Sequence, residues 1–169
     1  GNDGTVSAAI STPGTYFIII RSDYAAGGFR HDDGTYGVTA TLTAGTGNLE
    51  IEPNDFGDPA TPITSGSKFA GQLLDKDDVD GFAININQPS TLKVDFDSPT
   101  NSSYSDYFDI YIQDPDGNKI AGVTTGNDKS FSAAVTTSGT YFIIIRSDYA
   151  AGGFRHDDGT YGVTANLTS

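Results

Sequence analysis

Residues 80–97 read DGFAININQPSTLKVDFD, and their apolar side chains fall at every second position on both sides of Pro89. These apolar residues are Phe82, Ile84, Ile86, Leu92, Val94 and Phe96. A period of two residues is typical of a strand that buries one face. The stretch therefore predicts two half-buried antiparallel strands joined by a turn.

The same alternation recurs towards the end of the chain, with further strands predicted at residues 108–112, 118–123, 141–146 and 161–167. Pro115, Asp116 and Gly117 predict a hairpin turn between the first two of these. No stretch shows a helical period. About eight short strands predict an all-β protein, an antiparallel two-sheet β-sandwich of jelly-roll type.

One predicted strand departs from simple alternation. Residues 142–145 read FIII and are apolar on both faces. Such a strand is either central, with its outer face covered, or in contact with another module. The sequence leaves both alternatives open.

Composition limits the classes of partner. Of 169 residues, 22 are Asp or Glu and 9 are Lys or Arg, so the net charge is −13. This charge excludes an electrostatic grip on nucleic acid or on an anionic membrane surface. The chain has no cysteine, hence neither a disulfide framework nor a thiolate metal site, and no stretch is apolar enough to predict insertion into a membrane. Cations are the natural partners.

An internal repeat organises the chain. Residues 1–44 align without gaps on residues 126–169, and 36 of the 44 pairs are identical. We expect residues 1–44 to be the C-terminal part of a preceding repeat module and residues 45–169 to be a complete β-sandwich module. Residues 1–44 hold about three predicted strands, which are too few to bury their own apolar face. The repeat therefore predicts association with neighbouring copies, or a structural unit that is offset from the sequence repeat.

Acidic residues cluster in two segments. Residues 50–55 read EIEPND and residues 75–80 read DKDDVD. In an extended segment Glu50, Glu52 and Asn54 point the same way, and the second segment could close a cage around an ion. Calcium prefers six to eight oxygen ligands in flexible geometry. The pattern predicts a Ca²⁺ site.

With these motifs, residues 49–168 resemble the bacterial pre-peptidase C-terminal family. The matching residues are Glu50, Glu52-Pro53-Asn54-Asp55, Ala60, Gly71, Asp78-Val79-Asp80-Gly81-Phe82, Phe108-Asp109-Ile110-Tyr111-Ile112, Asp116-Gly117, Gly139-Thr140-Tyr141 and Tyr161-Gly162-Val163.

The resemblance implies a jelly-roll sandwich that binds calcium near its N-terminal linker. It implies an accessory domain of secreted hydrolases or a module of surface proteins, and so an extracellular or cell-surface location. Carried over residue by residue, Glu50, Glu52, Asn54 and Asp55 are ligands on the linker side. Asp77 or Asp78, together with Asp80, completes the site.

The chain departs from the family at residues 146–159, an elaborated loop between the last two strands. Its mixture of charged and aromatic residues suits a partner or a second ion. The candidate residues are Arg146, Asp148, Tyr149, Arg155, His156, Asp157 and Asp158. The plainer alternative is an ordinary turn at residues 157–159, with Arg146 paired to Asp148.

A further acidic group offers a weaker candidate for a second ion. It consists of Asp95, Asp97, Asp106 and Asp109, which could meet across adjacent strands. Outward-facing carboxylates on a solvated surface are the simpler interpretation.

The sequence favours a module without catalytic residues. It lacks a cysteine nucleophile, a Gly-x-Ser-x-Gly elbow and a phosphate-binding glycine loop. We expect a calcium-binding structural extender or self-associating unit of an adhesin or filament. The alternative is an accessory domain that recognises peptide or polysaccharide through the 146–159 loop and exposed Tyr104, Tyr107 and Tyr111.

Overall fold

A computed structural model describes residues 4–8, 10, 16–20, 35–42, 47–55, 58–74, 77–99, 108–148 and 160–169. Within these ranges, ten strands form two five-stranded sheets. They are β1 (Asn48–Leu49), β2 (Thr61–Pro62), β3 (Lys68–Gly71), β4 (Val79–Ile86), β5 (Ser90–Asp97), β6 (Phe108–Gln113), β7 (Lys119–Thr125), β8 (Lys129–Val135), β9 (Gly139–Ser147) and β10 (Tyr161–Thr168).

The strand order is β1-β3-β10-β5-β8 in the first sheet and β2-β4-β9-β6-β7 in the second. Long neighbours pair antiparallel, while the two-residue strands β1 and β2 pair parallel to β3 and β4. The prediction of an all-β, two-sheet sandwich is confirmed. The sheets are mixed because these two short edge strands follow the direction of their neighbours.

The core lies between the sheets and follows the alternation in the sequence. Every second side chain of β4 and β5 is buried, whereas β6 is buried on both faces, and Phe82, Leu92 and Ile110 are completely buried. Phe82 packs edge-on against Phe69 of the other sheet, with ring centroids 6.4 Å apart. The period-two pattern therefore reports correctly which face of each strand is inside.

The strand that is apolar on both faces, β9, is the central strand of its sheet. It pairs with β4 on one side and β6 on the other, and Ile144 on its outer face is 5% exposed. Tyr111 beside it is also buried. The first of the two alternatives, a central strand with a covered outer face, describes β9.

The described parts of residues 1–44 contain no strand. Their large apolar side chains are exposed, as in Phe17 (81%) and Leu42 (85%). The assignment of residues 1–44 to a preceding module stays a prediction. Within the described ranges, no helix has the length and apolarity needed to cross a bilayer.

We predict that Ile110→Ala lowers the free energy of unfolding by about 2–5 kcal/mol, because it leaves a cavity in the core. Ile120→Ala is the matched control, since Ile120 on β7 is 38% exposed, and it should cost less than about 1 kcal/mol. Urea unfolding measures both. Equal losses would contradict the assignment of Ile110 to the core.

A candidate metal centre at one end of the sandwich

Three carboxylates meet where the chain crosses from one sheet to the other. Glu50 directly follows β1, Glu52 lies two residues on, and Asp80 is the second residue of β4. One oxygen from each lies within 4.8 Å of the others. Glu50 and Asp80 are buried, and Glu52 is half-buried.

Backbone hydrogen bonds fix the segment that carries the two glutamates, which we call the leading segment (residues 48–54). The Glu50 amide donates to the Ala70 carbonyl of β3 at 3.0 Å. Further on, the Asn54 carbonyl accepts from the Gly81 amide of β4 at 3.2 Å. The Glu52–Pro53 peptide bond between these points is cis. The leading segment is thus tied to both sheets.

Tyr161 of β10 joins the two buried carboxylates. Its hydroxyl lies 3.1 Å from Glu50 Oε2 and also hydrogen-bonds Asp80 Oδ2. A phenol has one proton to donate, so both contacts can be hydrogen bonds together only if one carboxyl is protonated. In addition, the Gln72 amide donates to Glu50 Oε1 at 2.7 Å.

Gly71 makes this close approach possible. A Cβ at this position would lie 2.3 Å from both Glu50 Oε2 and the Tyr161 hydroxyl. Any larger residue would therefore push the carboxylate and the phenol apart. The absence of a side chain at Gly71 is a condition for the cluster.

The protein environment disfavours negative charge in the cluster. Burial raises the pKa of Glu50 to about 7. Burial, followed by the charge of Glu50, raises the pKa of Asp80 to about 10. Burial and the charge of Asp78 also raise the pKa of Glu52. The cluster therefore takes up protons, or a cation in their place.

Three oxygens at this place are buried without a hydrogen-bond partner. They are Glu52 Oε1, Asn54 Oδ1 and Asp80 Oδ1. Buried polar atoms are nearly always satisfied, so these acceptors are suited to a positive partner, either a proton or a cation. The donor set, three carboxylates and one amide oxygen, fits a hard divalent cation.

The remaining candidate ligands lie beside the cluster. Asp55 accepts from the Val79 amide at 3.0 Å, and Asp78 accepts from the Leu74 amide. They line a groove of about 500 Å³ with Glu52, Pro53, Leu74 and Asp77. The structure thus brings Glu50, Glu52, Asn54 and Asp80 together and places Asp55, Asp77 and Asp78 at the adjoining surface.

Arg146 forms an ion pair with a different residue from the one that the sequence suggested. Its Nε and Nη2 atoms lie 3.0 and 2.8 Å from Asp109 Oδ2 on the neighbouring strand β6. Lys119 binds the other oxygen of Asp109 at 3.1 Å. Asp109 is therefore the ion-pair partner of Arg146, where the sequence alternative named Asp148.

Most other loop candidates lie outside the described residues. These are Tyr149, Arg155, His156, Asp157 and Asp158, together with Tyr104, Asp106 and Tyr107. Tyr111 is described, and the expectation that it is exposed is wrong. It is 7% exposed because it packs under the Lys119 ammonium group, 4.7 Å from the ring centroid.

The second acidic group does not gather around one point in the described part of the chain. Asp97 pairs with Lys68, and Asp95 pairs with Lys93. Asp109 lies in the other sheet and pairs with the side chains of Lys119 and Arg146. Each carboxylate is balanced separately. The expectation that these three residues meet at a second ion site is therefore wrong.

Sequence reasoning missed Tyr161 and Gly71 as parts of the site. One available signal was the alternation along β4, because Asp80 shares the inward face of this strand with Phe82, Ile84 and Ile86. An inward Asp in an apolar strand requires a polar partner. The identity of that partner depended on the pairing of distant strands.

Comparison with known proteins agrees with the fold. Residues 78–147 match the family model of the bacterial pre-peptidase C-terminal domain, which confirms the resemblance over that part of the chain. The chain is also similar to the collagenase ColA of Clostridium perfringens, with 26% identity over 155 residues. That alignment covers 86% of this chain and 13% of ColA. The chain thus spans a small part of its curated relative.

Among solved structures, the chain is similar to the pre-peptidase C-terminal domain of a collagenase from Bacillus anthracis. The TM-score is 0.50 at 16% identity, covering 69% of this chain and 99% of that domain. A weaker likeness is to PliG of Aeromonas hydrophila, a periplasmic inhibitor of g-type lysozyme. Its TM-score is 0.41 at 14% identity, covering 62% and 94% of the two chains. The matched family is a non-catalytic β-sandwich domain of peptidases, and such a domain can be part of a larger enzyme.

The raised pKa values predict an unusual pH dependence in the presence of a chelator. Above about pH 5 the folded state retains protons that the unfolded state has released, on Glu50 up to about pH 7 and on Asp80 up to about pH 10. The free energy of unfolding should therefore fall as the pH rises. Thermal unfolding at several pH values in chelator measures this slope.

Asp80→Asn should flatten the slope and raise the melting temperature at about pH 8, because a neutral amide needs no proton. Asp116→Asn removes the same charge from an exposed turn and serves as the control. The same slope in both variants would contradict a titrating cluster at Asp80.

Proposed function

We propose that this chain is a calcium-binding, non-catalytic structural module of an extracellular bacterial protein that packs against neighbouring copies of itself. The observation that carries the calcium site is the group of Glu52, Asn54 and Asp80 oxygens, buried without hydrogen-bond partners beside Glu50. An ion there would satisfy all of them. It would also offset the burial and the mutual repulsion that raise the pKa of the carboxylates.

Calcium fits better than other common metals. The donors are all oxygens, which disfavours zinc and copper. Carboxylates that each offer two oxygens supply the high coordination number of Ca²⁺, whereas Mg²⁺ usually keeps several waters and few protein ligands. The acidic groove lined by Asp55, Asp77 and Asp78 adjoins the site and attracts cations towards it.

The ion would act as a clamp on the leading segment. Glu50 and Glu52 belong to that segment, whereas Asp80 belongs to β4 in the second sheet. Ligation of all three would join the segment to the sandwich more firmly than its few backbone hydrogen bonds do. A flexible connection between modules would then become a fixed one.

The sheet geometry favours side-by-side packing over extension. β1 runs parallel to β3, and β10 runs antiparallel to it. The chain therefore enters β1 from the side on which it leaves β10, although Asn48 is level with Val163, five residues before Thr168. Successive modules joined there would add little length, while the exposed apolar side chains of residues 16–20 and 36–42 offer contacts between copies.

The extracellular location is supported by the matched domain family and by the collagenases among the similar proteins. It is also compatible with a calcium site, because extracellular calcium is abundant enough to fill sites of modest affinity.

Titration calorimetry with CaCl₂ tests the site directly. We expect one ion bound per chain and, at a free calcium concentration of 100 times Kd, a gain of about 2.7 kcal/mol in the free energy of unfolding. Asp80→Asn and Glu50→Gln should abolish the binding heat, and Asp116→Asn should retain it. Binding that survives in Asp80→Asn would refute this site.

Sedimentation velocity tests the packing between copies. We expect the weight-average mass to rise with protein concentration, because apolar surface is exposed on residues 1–44. Phe17→Ser together with Leu42→Ser should reduce this rise, whereas Thr140→Ser on β9 should leave it unchanged. A monomer at all concentrations would contradict self-association while leaving the calcium site intact.

A further inference from the structure

The described parts of residues 1–44 repeat strands that are central in the structure. Tyr16–Ile20 has the sequence of Tyr141–Ile145 in β9, and residues 35–40 have the sequence of residues 160–165, which form most of β10. The two copies have opposite surroundings. Ile18 is 64% exposed, whereas the equivalent Ile143 is completely buried.

The strands that surround the second copy define the place into which the identical first copy would fit. β9 is the third of five strands in one sheet, and β10 is the third of five in the other. Ile143 pairs with Phe82 of β4 and with Ile112 of β6. We call residues 1–44 the N-block, residues 126–169 the C-block and residues 47–125 the body. The chain thus carries two blocks for one body.

We propose that the N-block and the C-block are interchangeable, so that the body can be completed by either. In the alternative arrangement Ile18 lies between Phe82 and Ile112. Tyr36 takes the position of Tyr161 and places its hydroxyl against Glu50 and Asp80, and the C-block is released.

The connection between N-block and body is long enough for this exchange. Leu42 would occupy the level of Leu167, four residues beyond Val163, and Val163 is at the level of Phe69 and of Asn48 on β1. The gap is roughly 13 Å along the strands and roughly 10 Å across β3. The six residues from Leu42 to Asn48 reach about 20 Å. The body with the N-block is therefore a circular permutant of the same sandwich.

Sequence differences explain why the C-block occupies the body here. Phe131 of β8 packs against the core, and its counterpart in the N-block is the smaller Val6. The Asn166 amide donates to Asp95 at 3.0 Å, and its counterpart is Thr41. The C-block therefore makes more contacts, while the residues of β9 are the same in both. In a tandem array each body would have two possible strand donors, which couples neighbouring modules.

Engineered cysteine pairs in the full chain can report which block is bound, because the natural chain has none. Ala83 pairs with Phe142, and in the exchanged form it would pair with Phe17. Ala83→Cys is combined with Phe142→Cys to detect the C-block, or with Phe17→Cys to detect the N-block. Ile143→Asp then disables the C-block, and Ile18→Asp is the matched change in the N-block. All samples contain chelator, so the result does not depend on calcium.

We expect Ile143→Asp to raise the disulfide between positions 17 and 83 within one chain at least about tenfold. The same variant without the cysteines should keep a cooperative thermal transition, at a lower temperature. The double variant Ile18→Asp with Ile143→Asp should lose this transition. The proposal is overturned if Ile143→Asp unfolds as completely as the double variant, or if the disulfide forms only between chains.

Discussion

The hydroxyl of Tyr161 connects three parts of the protein that are distant in sequence. It reaches Glu50, 111 residues earlier, and Asp80, 81 residues earlier, and thereby joins the leading segment to both sheets. The contact is possible only because Gly71 has no side chain and because at least one carboxyl keeps its proton or shares a cation. The contacts at this end of the sandwich thus depend on a retained proton or a shared cation, whereas the middle is stabilised by burial of apolar side chains.

The completed sandwich depends on the last strands of the chain. β9 and β10 occupy the centre of one sheet each, so the strands before them form two incomplete sheets until the C-block is added. Most contacts are consequently long-range in sequence, which is typical of slow-folding β proteins. A duplicated block with the same central strands therefore has a direct effect on folding, since it competes for the same two positions.

Local pattern in the sequence was sufficient for the longer strands β4–β7, β9 and β10, but it did not identify β1–β3 or β8. The alternation of Phe82 with Ala83 or of Leu92 with Lys93 reflects a burial difference that any half-buried strand shows. The local pattern was insufficient where the burial or the contacts of a side chain depend on a partner from another strand. Asp109 and Tyr111 were expected on a solvated face, yet both are buried because Arg146 and Lys119 cover them. Likewise, the acidic motif indicated Glu50 and Glu52, but only the pairing of β3 with β10 brings Tyr161 beside them.

The position of the two ends of the module decides how it would respond to mechanical force. β1 and β10 flank β3 and run in opposite directions, with Asn48 level with Val163 and five residues away from the level of Thr168. A pull on the chain before Asn48 bears first on β1, whose pairing with β3 covers only two residues. The carboxylate cluster lies immediately behind those two residues. A force that peels the leading segment away therefore meets Glu50 and Glu52 first, and the mechanical strength of the module would be set by whatever cation those side chains hold.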